Sequence, residues 1–344
     1  MLPRDRVFKA LNFEKPDVVP LEYHPSPRGF YEHGEKMKHL FLKYSGDFGD
    51  ISAEAIPLPD KCNFDTNGEY HEFKEDGWGT VWEHRIYLMH GQPVKWPLED
   101  IEDIHGYKFP PQPIPPAGSR GFTEIRNRIG LHKENYFYKE GWVGIFEKMI
   151  ALRKFEDVLM DIAMNTDEIN KLADMITDYH AENIRRLIEA DVDAVQFGDD
   201  YGAQDNMMMS PELWRKFFKP RLAMLIQPVK HAGKKVLFHS CGYIREILDD
   251  LKEIGADSIW PQLSVYNMKE LAGYCKDIKL ALAIHIDRAH IMTHGSPDDV
   301  RRAVDTAFEM FRPDMGGSWF YVEIDNGFPF ENIEALVTAI AKYR

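Results

Sequence analysis

The sequence predicts an α/β fold, a (β/α)8 TIM barrel with a β-rich N-terminal insertion. After Asn135, short apolar runs alternate with amphipathic helical patterns, which is typical of parallel strands joined by helices. About eight such units favour a closed barrel over the alternative, an open doubly wound sheet. Several apolar runs also end in polar side chains, and in a barrel the carboxyl ends of all strands open on one face. We therefore expect these polar side chains to surround one site.

The first 56 residues carry isolated helix and strand patterns. Pro3 to Phe13 predicts a helix, and Val18 to Tyr23 predicts a short buried strand. A weaker strand candidate spans Phe48 to Ala55. These elements precede the regular alternation and are the least periodic part of the predicted barrel.

The stretch from about Pro57 to Pro116 has a different residue pattern from the rest of the chain. Gly77 to Glu83 and Arg85 to Leu88 alternate between apolar and polar residues and contain turn formers, which predicts a β-hairpin or meander. A proline-rich connector follows, and proline excludes helix there. We therefore predict a single domain over residues 1–344, with an excursion at about 57–116 added to the barrel.

The second half of the chain supplies the regular units. Tyr136 to Phe146 predicts a strand, and a helix is expected from Glu147 to about Ala163. Thr166 is a suitable N-cap for the long helix that follows. Further strands are predicted at Asp193–Phe197, Val236–Phe238, Ser258–Leu263, Leu280–Ile286 and Trp319–Ile324. The closing helix is predicted at Glu331–Lys342.

Composition limits the classes of function. The net charge of −14 argues against a nucleic-acid partner, which requires a basic surface. No run of roughly 18 apolar residues is present, so no membrane span is expected. The charged N-terminus lacks a signal-peptide core, and three scattered cysteines fit a reducing compartment. We expect a cytoplasmic protein.

His239 and Cys241 are the first candidate metal ligands. They end the apolar run of Lys234 to Gly242, and residues two apart in a strand point to the same side. Imidazole and thiolate are common zinc ligands. The alternative is a buried cysteine beside a hydrogen-bonded histidine. The carboxylates of Glu323 and Asp325, or the imidazole of His285, are candidates to complete such a site.

Asp199 and Asp200 are the candidate catalytic acids. They lie between two glycines directly after a predicted strand. Adjacent carboxylates repel each other, so two of them at one strand end indicate a structural or chemical role. One can cap a neighbouring segment, and the other can bind substrate, transfer a proton or support a metal ligand. Three further residues at strand ends are expected to contact substrate, namely Tyr201, Gln262 and Asp287.

Several well-known motifs are missing from the sequence. It contains no GxGxxG after a strand, no GxxxxGK[ST], no GxSxG and no HExxH. Nucleotide binding, serine hydrolysis and zincin chemistry therefore lack their usual signatures.

Three segments resemble the uroporphyrinogen decarboxylase-like superfamily, namely Met209–Arg221, Phe238–Gly242 and Glu331–Leu336. The resemblance is continuous from about Trp142 to the C-terminus. Uroporphyrinogen decarboxylases themselves are cofactor-free and carry an N-terminal arginine-rich motif that this sequence lacks. The corrinoid-dependent methyltransferases of the superfamily bind zinc through an H-x-C pair and a later cysteine. His239 and Cys241 match that pair, whereas the later cysteine is absent and the matching stretch offers Glu323 and Asp325.

The resemblance implies a zinc-dependent methyltransferase that moves a methyl group between a small methylated substrate and a corrinoid protein. It implies one zinc ion per chain, held by His239, Cys241 and a third ligand for which we expect Glu323 ahead of Asp325 and His285. The resemblance also implies that a separate partner protein carries the corrinoid, and the chain has no D-x-H-x-x-G cobalamin signature of its own. In such an enzyme we expect Asp199 or Asp200 to supply or relay a proton. The alternatives are a cofactor-free decarboxylase and a non-catalytic barrel that binds a small molecule or a corrinoid protein.

Overall fold

A computed structural model describes residues 1–24 and 26–344. Its strands are β1 (Leu21–Tyr23), β2 (Glu72–Glu75), β3 (Val81–His84), β4 (Gln92–Lys95), β5 (Lys139–Val143), β6 (Ala194–Gly198), β7 (Lys235–Ser240), β8 (Ser258–Pro261), β9 (Ala281–Ile284) and β10 (Ser318–Val322). Its α-helices are α1 (Pro3–Leu11), α2 (Pro27–His33), α3 (Glu35–Lys43), α4 (Arg120–Lys133), α5 (Phe146–Leu152), α6 (Phe155–Met164), α7 (Asp167–Glu189), α8 (Pro211–Phe217), α9 (Lys219–His231), α10 (Leu248–Ile254), α11 (Met268–Asp277), α12 (Pro297–Phe311) and α13 (Phe330–Ala341).

The chain divides into two compact units. The first comprises Met1–Leu58, Arg128–Lys139 and Asp257–Arg344. Its strands follow the order β1-β10-β9-β8, and they pair in parallel. Ser296 and Asp299 form a capping box that begins α12.

The second unit comprises Pro59–Asn127 and Glu140–Ala256. Here β6 lies between β5 and β7, and β6 pairs in parallel with β7. The residues of β6 and β7 are largely buried, as expected for parallel strands covered on both faces, whereas β5 is partly exposed. Thr166 caps α7 by accepting a hydrogen bond from the backbone of Ile169 at 3.3 Å, which confirms the predicted cap.

The β-rich segment forms an antiparallel sheet in the order β2-β3-β4. The predicted meander is therefore confirmed, although its strands begin and end at other residues than the pattern indicated. Trp82 donates a hydrogen bond from Nε1 to Asp76 at 2.9 Å, and this bond ties β3 to the turn before it.

Two sequence predictions are wrong in detail. Phe48–Ala55 is not a strand, because the Asp50 side chain accepts a hydrogen bond from the backbone of Ser52 at 2.8 Å and forms a turn. The helix expected from Glu147 to Ala163 is two helices. Arg153 interrupts it with extended backbone, since its buried guanidinium donates to Asp161 at 2.8 Å.

Seven parallel strands alternate with helices, so the fold is α/β and similar to a TIM barrel. Closure into an eight-stranded ring and the single-domain organisation stay predictions. Within the described residues, no helix has both the length and the apolar character needed to cross a membrane.

Candidate metal centre

The loops that follow β6 and β7 are joined by hydrogen bonds. Gly198 and His239 are opposite each other in the parallel register of the two strands. The backbone N–H of Asp199 donates to the carbonyl of His239 at 3.1 Å. The backbone N–H of Tyr201 donates to Ser240 Oγ, also at 3.1 Å. The two loops therefore leave the sheet side by side.

Gly202 and Gly242 let these loops touch. A Cβ atom on Gly202 would lie 2.4 Å from the nitrogen of Tyr243 and 2.5 Å from the carbonyl carbon of Gly242. Gly242 also has a φ of +73°, a backbone conformation that favours glycine. Because no side chain fits between the loops, Asp200 on one loop comes next to Cys241 on the other.

Asp200, His239 and Cys241 form a group of potential metal ligands. Their ligand atoms all lie within 4.8 Å of one another. Cys241 Sγ is 3.4 Å from His239 Nε2, and His239 Nε2 is 3.4 Å from Asp200 Oδ1. The backbone N–H of Cys241 donates to Asp200 Oδ1 at 2.6 Å, which fixes the carboxylate beside the thiol.

This donor set fits zinc. Carboxylate oxygen, imidazole nitrogen and thiolate sulfur are its protein ligands, with bonds of about 2.0–2.3 Å. Tetrahedral coordination at those bond lengths separates two ligand atoms by roughly 3.3–3.8 Å. The two spacings of 3.4 Å around His239 Nε2 agree with that range. Three protein ligands leave one position for a reacting molecule, as in catalytic zinc sites.

A second group of possible ligands, Glu102, His105 and Glu168, is a weaker candidate. Glu102 and His105 are exposed, and exposed acidic groups are common on surfaces without an ion. The ammonium of Lys171 already contacts His105 Nδ1 at 2.7 Å. A cation therefore occupies the position next to this imidazole.

Glu323, the third ligand expected from the sequence, belongs to the first unit. Its Oε2 accepts a hydrogen bond from Arg288 at 3.0 Å and one from the Tyr321 hydroxyl at 3.3 Å. Asp325 pairs with the same arginine at 3.1 Å. The carboxylate of Glu323 is thus engaged with a cation, and its role as a metal ligand stays a prediction.

Asp199 is completely buried and caps α5. Its Oδ2 accepts hydrogen bonds from the backbones of Ile145 at 2.8 Å and Phe146 at 3.0 Å, and its Oδ1 accepts one from Glu147 at 2.7 Å. The Tyr201 hydroxyl donates to Oδ2 at 2.5 Å. Burial raises the pKa of Asp199 to about 6, although these hydrogen bonds favour its ionised form. Asp199 therefore holds the start of α5 against the loop that also carries Asp200.

Glu147 was not predicted as a site residue. It lies in the first turn of α5, just after β5, so it shares the strand-end position of Asp200 and Cys241. Burial, followed by the charge of Asp199 and a smaller effect of Asp200, raises the pKa of Glu147 to about 8. Ending the predicted strand at Val143 instead of Phe146 would have included Glu147 among the strand-end acids.

Trp142 connects Glu147 with the metal-ligand group. Its Nε1 donates to Glu147 Oε2 at 2.7 Å, and its ring lies 5.6 Å from the ring of His239. The indole fits because residue 198 is glycine, since a Cβ there would lie 2.2 Å from the ring. Trp142 is still 45% exposed, so it lies at the edge of the group.

The residues expected to contact substrate belong to both units. Tyr201 is completely buried and is bonded to Asp199. Gln262 and Asp287 belong to the first unit, where Asp287 accepts a hydrogen bond from the backbone of His290 at 2.9 Å. His285 Nε2 is 2.9 Å from the carbonyl of Pro261. Substrate contact by Tyr201, Gln262 and Asp287 stays a prediction.

Comparison with solved structures finds similarities of different extent. A methyltransferase from Methanosarcina mazei superposes with a TM-score of 0.66 at 18% identity, covering 100% of this chain and 99% of that one. A B12-independent methionine synthase from Shewanella sp. W3-18-1, in complex with selenomethionine, gives a TM-score of 0.45 at 13% identity, with 96% and 94% coverage. Xanthomonas albilineans dihydropteroate synthase gives 0.37 at 13% identity, with 58% and 66% coverage.

The family assignment comes from the sequence of the second half. No curated protein matches the chain significantly. Residues 143–343, more than half of the chain, match the family model of uroporphyrinogen decarboxylase (URO-D). The matched range contains β6, β7 and the Asp200, His239 and Cys241 group. The chain belongs to the uroporphyrinogen decarboxylase family.

Proposed function

We propose that this chain is a zinc-dependent methyltransferase, which moves a methyl group between a small methylated substrate and a corrinoid protein. The observation that carries the proposal is the group of Asp200, His239 and Cys241, a carboxylate, an imidazole and a thiol within ligand distance of one another. Membership of the family and the fold shared with a Methanosarcina mazei methyltransferase support it.

His239, Cys241 and Asp200 would hold the zinc ion. The ion would supply Lewis acidity, polarising the heteroatom that carries the methyl group. Asp200 is favoured over Glu323 as the third ligand, because Oδ1 of Asp200 lies 3.4 Å from His239 Nε2 while Glu323 is paired with Arg288. With a neutral imidazole, one thiolate and one carboxylate would balance the two charges of the ion.

The surrounding residues hold this group in place. Asp199 fixes the first turn of α5 against the loop after β6 through three backbone hydrogen bonds. The contact between Gly202 and Gly242 sets the separation of the two loops. A rigid arrangement matters, because displacing a catalytic group by about 1 Å can lower a rate by about 100-fold.

The chemistry requires a methyl acceptor with an electron pair. Cobalt of a reduced corrinoid, carried by a partner protein, would supply the pair for the new bond to carbon. The bond between the methyl carbon and the donor heteroatom breaks, and its electron pair stays on the heteroatom. That heteroatom then needs a proton unless it leaves as a stable anion or a neutral molecule.

The second candidate function is a cofactor-free decarboxylase, and the family match favours it. A substrate with several carboxylates needs several convergent cations. Carboxylates gather here instead, and Lys148, the cation whose charge acts on Glu147, sits 4.2 Å above the ring of Trp78. This charge pattern favours the methyltransferase. A non-catalytic binding barrel is the third candidate.

Zinc content and methyl transfer test the proposal together. The protein, purified with zinc present and dialysed, should contain one zinc ion per chain by elemental analysis. It should then form methylcobalamin from cob(I)alamin and a methyl donor, followed by absorbance. Zinc without transfer from any donor would favour the non-catalytic barrel. Absence of zinc would contradict the proposal.

A further inference from the structure

We propose that Glu147, held by Trp142, donates the proton to the heteroatom released in methyl transfer. This inference rests on the proposed function and adds a residue to its site. Both residues lie in the second unit, at the end of β5 and in the first turn of α5. They are therefore at the same end of the parallel strands as Cys241 and Asp200.

The orientation of Glu147 is fixed at two points. Its Oε2 accepts the 2.7 Å hydrogen bond from Trp142 Nε1, and its backbone N–H donates to Asp199 Oδ1 at 2.7 Å. Within residues 1–24 and 26–344, Oε1 has no hydrogen-bond partner. One carboxyl oxygen is therefore anchored, and the other is available to carry a proton to a bound molecule.

Trp142 in turn packs against His239 of the metal-ligand group. Its ring occupies the space above Gly198 and lies 5.6 Å from the ring of His239. Through this indole, the position of Glu147 is tied to the position of a proposed zinc ligand. A donor heteroatom bound at zinc would thus meet Glu147 in a defined direction, as general acid catalysis requires.

Glu147 is also the carboxyl group that remains free for this task among the three gathered here. Asp199 is buried and already accepts four hydrogen bonds. Asp200 accepts the backbone N–H of Cys241 and belongs to the ligand group. Neither can donate a proton to a substrate without losing the hydrogen bonds that hold it.

The charges around Glu147 favour its neutral form. Burial acts most strongly, and the carboxylates of Asp199 and Asp200 add to it, so the pKa of Glu147 is raised to about 8. Lys148 and the Trp142 hydrogen bond act in the opposite direction. In the zinc-free protein near neutral pH, Glu147 is therefore largely a carboxylic acid that can give up a proton.

The step balances without a further reactant. The electron pair of the broken carbon–heteroatom bond stays on the heteroatom, which takes the proton from Glu147 Oε1. The carboxylate left behind regains a proton from solvent, since Glu147 is only partly buried. The reverse transfer would use the same carboxylate as a base.

The test compares Glu147→Gln with the control Glu253→Gln, which removes a surface carboxylate paired with Lys219. Infrared spectra of the zinc-free and zinc-loaded proteins near pH 6 report protonated carboxyl groups without any substrate. We expect the zinc-free wild type and Glu253→Gln to show a carboxylic acid band that Glu147→Gln lacks. If the three spectra are identical, Glu147 holds no proton and the inference is wrong.

Transfer to cob(I)alamin supplies the second readout. Methanol and anisole release an oxygen that needs a proton, whereas trimethylsulfonium releases neutral dimethyl sulfide, which needs none. With the rate without enzyme subtracted, Glu147→Gln should slow transfer from methanol or anisole by about 10²–10⁴-fold and leave transfer from trimethylsulfonium within about 3-fold. Equal losses with all donors, or none, would overturn the inference. If the wild type uses no donor, the proposed function fails, and the infrared comparison alone decides whether Glu147 holds the proton. Trp142→Phe, which removes the anchoring N–H together with part of the indole ring, should reproduce part of the loss.

Discussion

The backbone N–H of Cys241 donates a hydrogen bond of 2.6 Å to Oδ1 of Asp200. This bond links residues from two different strand-end loops and brings a carboxylate to the H-x-C pair. An amide oxygen can accept the same bond, so the charge at residue 200 can be removed without removing the contact.

Asp200→Asn should therefore lose zinc while it keeps its fold. The neutral amide is a poor zinc ligand, and even changes to groups that only orient a ligand lower metal affinity about 10–100-fold. We expect at least that loss in a competition titration with a zinc chelator. The free energy of unfolding of the metal-free protein should change by less than about 1 kcal/mol.

Asp205→Asn is the matched control for this measurement. Asp205 is exposed in the same loop, and its substitution should leave zinc affinity unchanged. Equal affinity in the wild type and Asp200→Asn would exclude Asp200 as a ligand.

Glu323→Gln tests the other candidate for the third ligand, and Cys241→Ser shows the loss of zinc expected when a ligand is removed. Cys241→Ser should reduce zinc to near background, because the site loses its thiolate. Glu323→Gln should keep zinc, since Glu323 is bonded to Arg288 and Tyr321. Elemental analysis after dialysis measures both. A clear loss of zinc in Glu323→Gln would instead support the ligand predicted from the sequence.

The residues of the candidate site were largely predictable from local patterns. The period of two in a strand predicted that His239 and Cys241 lie on the same side, although β7 ends at Ser240 between them, and Asp200 follows the neighbouring strand. Glu147 was missed because the end of β5 was placed three residues too late, and strand ends are the least certain feature of a sequence pattern.

Long-range contacts explain what the pattern could not predict. The helix break at Arg153 depends on bonds to Asp161 and to the carbonyl of Leu98, and periodicity carries no information about these partners. The contact of Gly202 with Gly242 joins residues far apart in the sequence. Such contacts decide which of several strand-end acids meets the histidine and the cysteine.

Gly202→Ala should destabilise the protein and disturb the metal site. The new Cβ would lie 2.4 Å from the backbone nitrogen of Tyr243, so the two loops must separate. Overpacking of this kind costs about 1–3 kcal/mol, and zinc affinity should fall with it. Chemical denaturation and zinc titration measure the two effects.

Gly130→Ala is the control, because a Cβ at this position in α4 meets nothing within 4 Å. Alanine is favoured over glycine in a helix by about 1 kcal/mol, so this variant should be as stable as the wild type or slightly more stable. Equal stability of Gly202→Ala and Gly130→Ala would show that the loops tolerate separation.

Asp199→Asn should lower stability strongly, in contrast to Asp200→Asn. The carboxylate accepts four hydrogen bonds through its two oxygens, and the amide nitrogen of asparagine can accept none. Leaving buried donors unpaired costs about 1–3 kcal/mol each. We expect a loss of about 2–4 kcal/mol in the free energy of unfolding of the metal-free protein. A small change in melting temperature would mean that Asp199 does not hold α5, and a catalytic role would regain support.

Glu147→Gln should change how stability depends on pH. The pKa of Glu147 rises from 4.5 to about 8 in the folded protein, chiefly through burial, so the folded state binds this proton more tightly than the unfolded state does. Ionisation of Glu147 therefore costs stability progressively as the pH rises from about 4.5 through 8, and the cost is constant above that range. The glutamine side chain of the variant carries no charge at any of these pH values. In zinc-free protein, the melting temperature of Glu147→Gln relative to the wild type should be lowest near pH 4 and should rise to a plateau above about pH 8. A difference that stays constant from about pH 4 to 9 would show that the pKa of Glu147 is the same in both states.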